Sequence, residues 1–176
     1  MYICPNQNKI IMVHLNFLLI LSTGLIPLLV GYFWYGPLFG KVWMAEAAMT
    51  DEKIKNSNML LIFGLTLIFG LLLTIGLTPI VIHQMGVFSV LQNSGLAQEG
   101  SEGYNYFQDF MSKYGTEFRT FKHGALHGFL TSLFIFLPII GTNALFERKS
   151  WKYIVLHVGF WAVSAILMGG IICGFA

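Results

Sequence analysis

Five histidines and two cysteines are the residues of this 176-residue chain best suited to bind or transform a ligand. His123 and His127 are four apart, so a helix presents both on one face. Imidazole ligates zinc, copper, iron and nickel, and a pair at this spacing suits a metal. A haem asks for less: one axial imidazole and a roomy apolar pocket. Cys4 and Cys173 lie near opposite ends of the sequence and belong to no CxxC or Cys/His cluster, so no disulfide framework can be read. The chain has no HExxH, no nucleotide-binding glycine loop and no recognisable nucleophile–base set. Whether the histidines can meet depends on the elements that carry them.

Those elements are set by composition. Hydrophobic residues make up 56% of the chain and charged residues 10%, against about 25% charged in an average soluble domain. Eighteen charged side chains cannot cover the surface of a soluble protein this size, which excludes a soluble enzyme, a disordered chain and a nucleic-acid binder. A membrane-crossing helix needs about 20 apolar residues. Four charge-poor runs meet that need, at about residues 13–39, 58–84, 122–143 and 151–174. None alternates like a strand, and four crossings cannot close a β-barrel. The expectation is an all-α integral membrane protein. It is one membrane domain over residues 1–176, with four transmembrane helices in a bundle and no visible internal duplication. The first run is too long for a signal-peptide core and lacks an A-x-A-type cleavage site, so it reads as an uncleaved first helix, with Met1 or Met12 as the start.

Four crossings put both termini on one face with the long loop of residues 92–121. The other face holds the loop of residues 41–57 and the tight turn at 147–152. The latter face carries Lys41, Lys53, Lys55, Arg148, Lys149 and Lys152, against Lys9, Lys113, Arg119 and Lys122. The excess of cations places the short loops in the cytoplasm of a plasma-membrane protein and both termini outside. In this topology His14, His83, His123 and His127 converge at one depth on the outer side, with Cys4 and Cys173 nearby, while His157 lies toward the cytoplasmic end. Against a metal stands the plainer alternative that each imidazole bonds a neighbouring helix or reaches the headgroups. No acidic residue lies within a membrane stretch to complete a ligand set or a proton relay. The expectation is therefore no bound cofactor and no firm metal site, with a transition metal or haem on those four histidines as the alternative.

The loops carry further signals. Thr50 before Asp51 and Glu52 reads as a capped helix start, so the second helix begins ahead of its membrane stretch. Phe107, Phe110, Met111, Tyr114, Phe118 and Phe121 recur at helical spacing. They predict an amphipathic helix lying on the outer leaflet, or a lid over a site between the spans. Ser150 can cap the fourth helix, and Glu147 has Arg148, Lys149 and Lys152 within reach. Pro27, Pro79 and Pro138 interrupt three helices, with Thr74 and Thr78 placed to re-satisfy freed backbone groups. Gly36/Gly40, Gly124/Gly128 and Gly170/Gly174 form GxxxG pairs, and Ala165/Gly169 a further small pair, suited to close packing within the chain or in a dimer.

The stretch Gly31-Tyr32-Phe33-Trp34-Tyr35-Gly36-Pro37-Leu38-Phe39-Gly40-Lys41-Val42-Trp43-Met44 resembles the opening signature of an uncharacterised bacterial membrane family, domain of unknown function 1761. Leu145-Phe146-Glu147-Arg148-Lys149-Ser150-Trp151-Lys152 resembles its later motif, and Leu167 to Ile172 is similar to its ending. The segment from about Met85 to Phe121 looks like an insertion. The resemblance implies a small multi-span membrane protein and carries no catalytic residue across. The topology places both signatures at the cytoplasmic face, where they can meet. Three functions remain open. The first is a non-enzymatic bundle acting as scaffold, accessory subunit or homo-oligomer, with the lipid bilayer and a membrane partner protein as its partners and no nucleic acid. The second is a small-solute transporter or channel, and the third an outer-face histidine-ligated metal or redox protein. The absence of intramembrane charge and of catalytic motifs ranks the first highest.

Overall fold

The computed structural model describes residues 17–176; His14, Cys4 and the alternative start Met12 lie outside the described residues. The described chain is all-helical, and four helical stretches are long and apolar enough to cross a membrane: Phe17–Leu38, Met59–Val81, Phe121–Phe146 and Trp151–Phe175. The first is built from α1 (Phe17–Gly24), α2 (Ile26–Phe33) and a π-helical turn, Trp34–Leu38. Two short helices follow, α3 (Gly40–Glu46) and α4 (Asp51–Lys55). The second span is α5 (Met59–Val81), continued after a break by α6 (Gln84–Leu91). Helix α7 (Glu102–Tyr114) precedes the third span, α8 (Phe121–Thr131) and α9 (Leu137–Phe146), which are joined by a π-helical turn, Ser132–Phe136. The fourth span is α10 (Trp151–Phe175).

Both π turns adjoin a proline. Pro37 lies inside the first, and Pro138 follows the second. A proline frees the carbonyl four residues back and pushes its ring against it, so the backbone widens to relieve the clash. Pro79 acts differently. Helix α5 stops two residues later, at Val81, and Ile82 is extended. Thr74 and Thr78 do not take up the carbonyl that Pro79 leaves free; their hydroxyls donate to Gly70 and Thr74 oxygens, at 2.9 and 2.8 Å. Such back-bonding bends a helix and does not restore the missing bond.

Helix α10 sits at the centre, packed on α1, α2, α5, α8 and α9. The core cluster joins Ile26, Leu77, Val81 and Ile82 to Met168, Ile172 and Cys173. The closest seam is α8 on α10. A methyl on Gly124 would strike Gly169, and one on Gly128 would strike Ala165, backbone against backbone. Gly24 and Gly70 make a comparable crossing between α1 and α5. The outward faces stay apolar: Leu60, Phe63, Leu72 and Ile75 on α5 and Phe134 on the third span are exposed.

Several loop expectations are corrected. Thr50 does cap a helix, accepting from the Lys53 amide at 3.2 Å, but that helix ends at Lys55, and Asn58 caps α5 separately. The aromatic periodicity from Phe107 to Phe121 crosses a break: α7 ends at Tyr114, Phe118 has φ +60°, and Thr120 starts α8 anew. Glu147 makes no ion pair among the described residues. Ser150 caps α10 through the Tyr153 amide and also donates to Glu46, just past the first signature.

Candidate metal centre

Topology gathers one end of the helix assembly from the start of the first long apolar helix, the end of the second, the start of the third and the end of the fourth. We call it the termini end, and the opposite one the loop end. At the termini end, His83 stands in the break between α5 and α6, because α5 has already stopped at Val81. His123 and His127 occupy the first two turns of α8, which Thr120 caps by accepting from the His123 amide at 3.2 Å. Gly124 and Gly128 seat α8 on α10. Each histidine is one residue before a glycine, about 100° round the helix, and so faces the α5–α6 joint.

The three imidazoles meet. Nε2 of His83 and Nε2 of His123 are 2.9 Å apart, one donating and the other accepting. A ligand atom from each of His83, His123 and His127 lies within 4.8 Å of the others. The ring centroids are 4.5 to 5.0 Å apart. Tetrahedral zinc at about 2.0–2.1 Å from each nitrogen sets those nitrogens about 3.3 Å apart. The one nitrogen–nitrogen distance, 2.9 Å, is close to that value, and the remaining ligand atoms fall within 4.8 Å, so the three donors are gathered on the scale of a single ion. His83 is exposed and the other two are half-buried, which leaves a path for an ion to enter.

A roof covers the cluster. The Phe118 ring lies 5.1 Å from the His123 ring at 32°. Buried Gln84 donates from Nε2 to the Tyr114 and Glu117 carbonyls, at 2.9 and 3.0 Å, and fixes the turn after α7 above the α5–α6 break. The Cys173 thiol lies 3.3 Å from the Phe118 carbonyl and 3.4 Å from that of Val81. Arg119 donates to the carbonyls of Cys173 and Ala176, where the negative end of the α10 dipole favours a cation. Burial pulls its guanidinium below the ordinary pKa. The same region borders an open cavity of about 520 Å³, lined by His83, Gln84, Val87, Phe110, Tyr114, Glu117 and Phe118.

The two signature stretches gather at the loop end. The π turn directs Trp34 and Tyr35 onto α10: Trp34 Nε1 donates to the Leu156 carbonyl at 3.1 Å, and the Tyr35 hydroxyl meets His157 Nδ1 at 2.8 Å. Gly36 departs from helical backbone within that turn, just before Pro37. A side chain at Gly40 would crowd the Tyr35 carbonyl, and Trp43 packs on the Tyr35 ring at 5.6 Å. Trp34 and Trp151 face each other across a cavity of about 350 Å³. The two signatures therefore border one cavity at the loop end, while Lys41, Phe146, Glu147 and Arg148 are exposed. His157 belongs here and is remote from the three-histidine cluster.

Sequence reasoning singled out His83, His123 and His127, and the structure brings these three together. It gave no role to Gln84 and counted Arg119 only among the loop cations, whereas both hold the turn between α7 and α8 in place. The family model described as a protein of unknown function (DUF1761) matches residues 18–173. No curated protein and no solved structure matches the chain.

Proposed function

The chain belongs to the DUF1761 family, and from that premise we propose that it is a multi-pass membrane protein that holds a transition-metal ion through His83, His123 and His127. One observation supports the reading: three imidazoles, two on α8 and one in the α5–α6 joint, bring their ligand atoms within 4.8 Å of one another. Three neutral nitrogens from a roofed site suit zinc, copper, iron or nickel. Of the three functions open from the sequence, this one gains most from the geometry. Gly124, Gly128, Ala165 and Gly169 are occupied by contacts within the chain, which removes them as support for a homo-oligomer.

Membrane insertion is supported by the apolar outward faces, since a surface of exposed Leu, Ile and Phe this extensive is stable in lipid and not in water. The six cations of the loop end favour a cytoplasmic loop end in the plasma membrane, which leaves the metal site and both termini on the outer side.

The test is metal content. Full-length protein purified in detergent, stripped with chelator and then offered Zn(II), Cu(II), Ni(II) or Fe(II), is expected to retain about one ion per chain by mass spectrometry. The His123→Ala/His127→Ala variant is expected to retain none. Wild-type protein indistinguishable from that variant with all four metals would sink the reading and return the scaffold to first place.

A further inference from the structure

We propose that the loop end carries a lipid site: the cavity bordered by Trp34 and Trp151 takes an acyl chain of an anionic phospholipid, and Lys152 holds the phosphate. This rests on the membrane reading above and is independent of the metal. The cavity, about 350 Å³, is open, and Lys152, Val155, Leu156 and Gly159 line it at the spacing of one helix face. Lys152 and Gly159 are about 10 Å apart along α10. Trp34, Phe39 and Val42 complete the wall. The volume falls in the range of small-molecule sites. It holds a length of one hydrocarbon chain and leaves the rest of the lipid in the bilayer.

The wall is built before any lipid arrives. Trp34 Nε1 donates to the Leu156 carbonyl, and the Trp34 and Phe39 ring centroids are 4.6 Å apart. Gly159 makes room for the indole, since a methyl there would stand 2.9 Å from it. An indole has one N–H and no acceptor. With that donor committed to the backbone, the Trp34 side chain offers the cavity apolar surface alone. Tryptophan and lysine at the ends of membrane helices sit at headgroup level. A lipid of the adjoining leaflet therefore reaches the cavity sideways, without leaving the bilayer.

Charge selects the headgroup. Lys152 is the only charged residue lining the cavity, and it makes no ion pair among the described residues. Glu46 reaches the start of α10 but accepts from the Ser150 hydroxyl and does not line the cavity. Trp151 and Lys152 are also the first two residues of α10. Ser150 accepts from the amides of Tyr153 and Ile154. Those of Trp151 and Lys152 have no partner within the helix, so the positive end of its dipole adds to the lysine. Lysine binds phosphate as a point charge. Two indoles would also attract a quaternary ammonium, but Lys152 repels one, which disfavours phosphatidylcholine.

The experiment uses the full chain, delipidated in detergent, and native mass spectrometry with dioleoyl phosphatidylglycerol, dioleoyl phosphatidylcholine and glycerol phosphate as probes. Phosphatidylglycerol is expected to bind about fivefold better than phosphatidylcholine, the discrimination that one lysine supplies at a charged surface. Lys152→Gln is expected to bring that ratio to about one. Lys55→Gln, an exposed cation of the same end that does not line the cavity, is expected to leave it unchanged. Val155→Phe, which fills the cavity from an exposed position, is expected to weaken both lipids about tenfold with unchanged melting. A preference lost equally in Lys55→Gln and Lys152→Gln, a preference for phosphatidylcholine, or glycerol phosphate binding as tightly as the lipid would each overturn the inference. An alkaline carbonate wash of reconstituted vesicles separates the two readings. Protein that resists the wash yet shows no lipid preference overturns the lipid site alone, whereas release by the wash overturns the membrane reading and the site with it.

Discussion

Substituting Gly124 by alanine should weaken metal binding without altering a ligand. An alanine Cβ at this position would stand 2.6 Å from the Gly169 carbonyl carbon, where ordinary contact begins at 3.4 Å. The Gly169 carbonyl oxygen and the Cys173 Cβ stand nearer still, and no rotamer change moves any of these atoms, so α8 must move off α10 by at least about 0.8 Å. Metal–ligand distances tolerate about 0.2 Å. The shift carries His123 and His127 together away from His83, which is held by the separate α5–α6 joint. Overpacking of this kind costs about 1–3 kcal/mol, partly offset by the roughly 1 kcal/mol that alanine gains over glycine in a helix. Affinity should fall about 10–100-fold, the scale typical when ligands are kept but their orientation is disturbed. Competition against a chelator of known affinity, in matched nanodiscs, measures it. Gly64→Ala is the control, since a methyl there meets nothing within 4 Å. A Gly124→Ala protein with wild-type affinity and wild-type melting would refute the idea that the α8–α10 seam sets the spacing of the histidines.

Three further outcomes are expected. Zinc occupancy should fall as the pH is lowered, because a metal takes only the neutral imidazole and protons compete for it; titration at fixed free zinc checks the sign. Phe118→Ala should speed zinc release into excess chelator several-fold, by removing the ring over His123, while Phe146→Ala at the exposed loop end should leave the rate unchanged. Ser150→Ala should lower stability by about 1 kcal/mol through the lost cap on α10, read as a reduced melting temperature.

The spans were legible because their signal is an absence. A run without Asp, Glu, Lys or Arg survives any local irregularity, so neither the π turns nor the break at Leu25 disturbed it. The histidine convergence was legible for the same reason: an even number of crossings fixes which residues share an end. What the sequence concealed is where helices stop. Pro79 reads as an interruption within one helix, whereas α5 ends at Val81 and α6 starts at Gln84, with His83 in the break. The aromatic spacing from Phe107 to Phe121 stayed in phase across a turn that is not helical; Gly115 and the capping Thr120 were the signals of the interruption. Arg119 and Gln84 could not have been found from sequence spacing. Their partners are backbone carbonyls 54 and 30 residues away from them, and any residue type supplies a carbonyl.

The central place of α10 also bears on biosynthesis. Of the four spans it is the last to leave the ribosome, and it contributes Met168, Ile172 and Cys173 to the core. Until it inserts, the earlier three hydrophobic segments have the Gly24–Gly70 crossing but not the partner that Gly124 and Gly128 are shaped to meet. On the proposed membrane reading, the nascent protein would lack its central packing partner until that last helix is made. A stop codon anywhere before Ala165 should yield a short-lived product, however well its remaining segments cross the membrane.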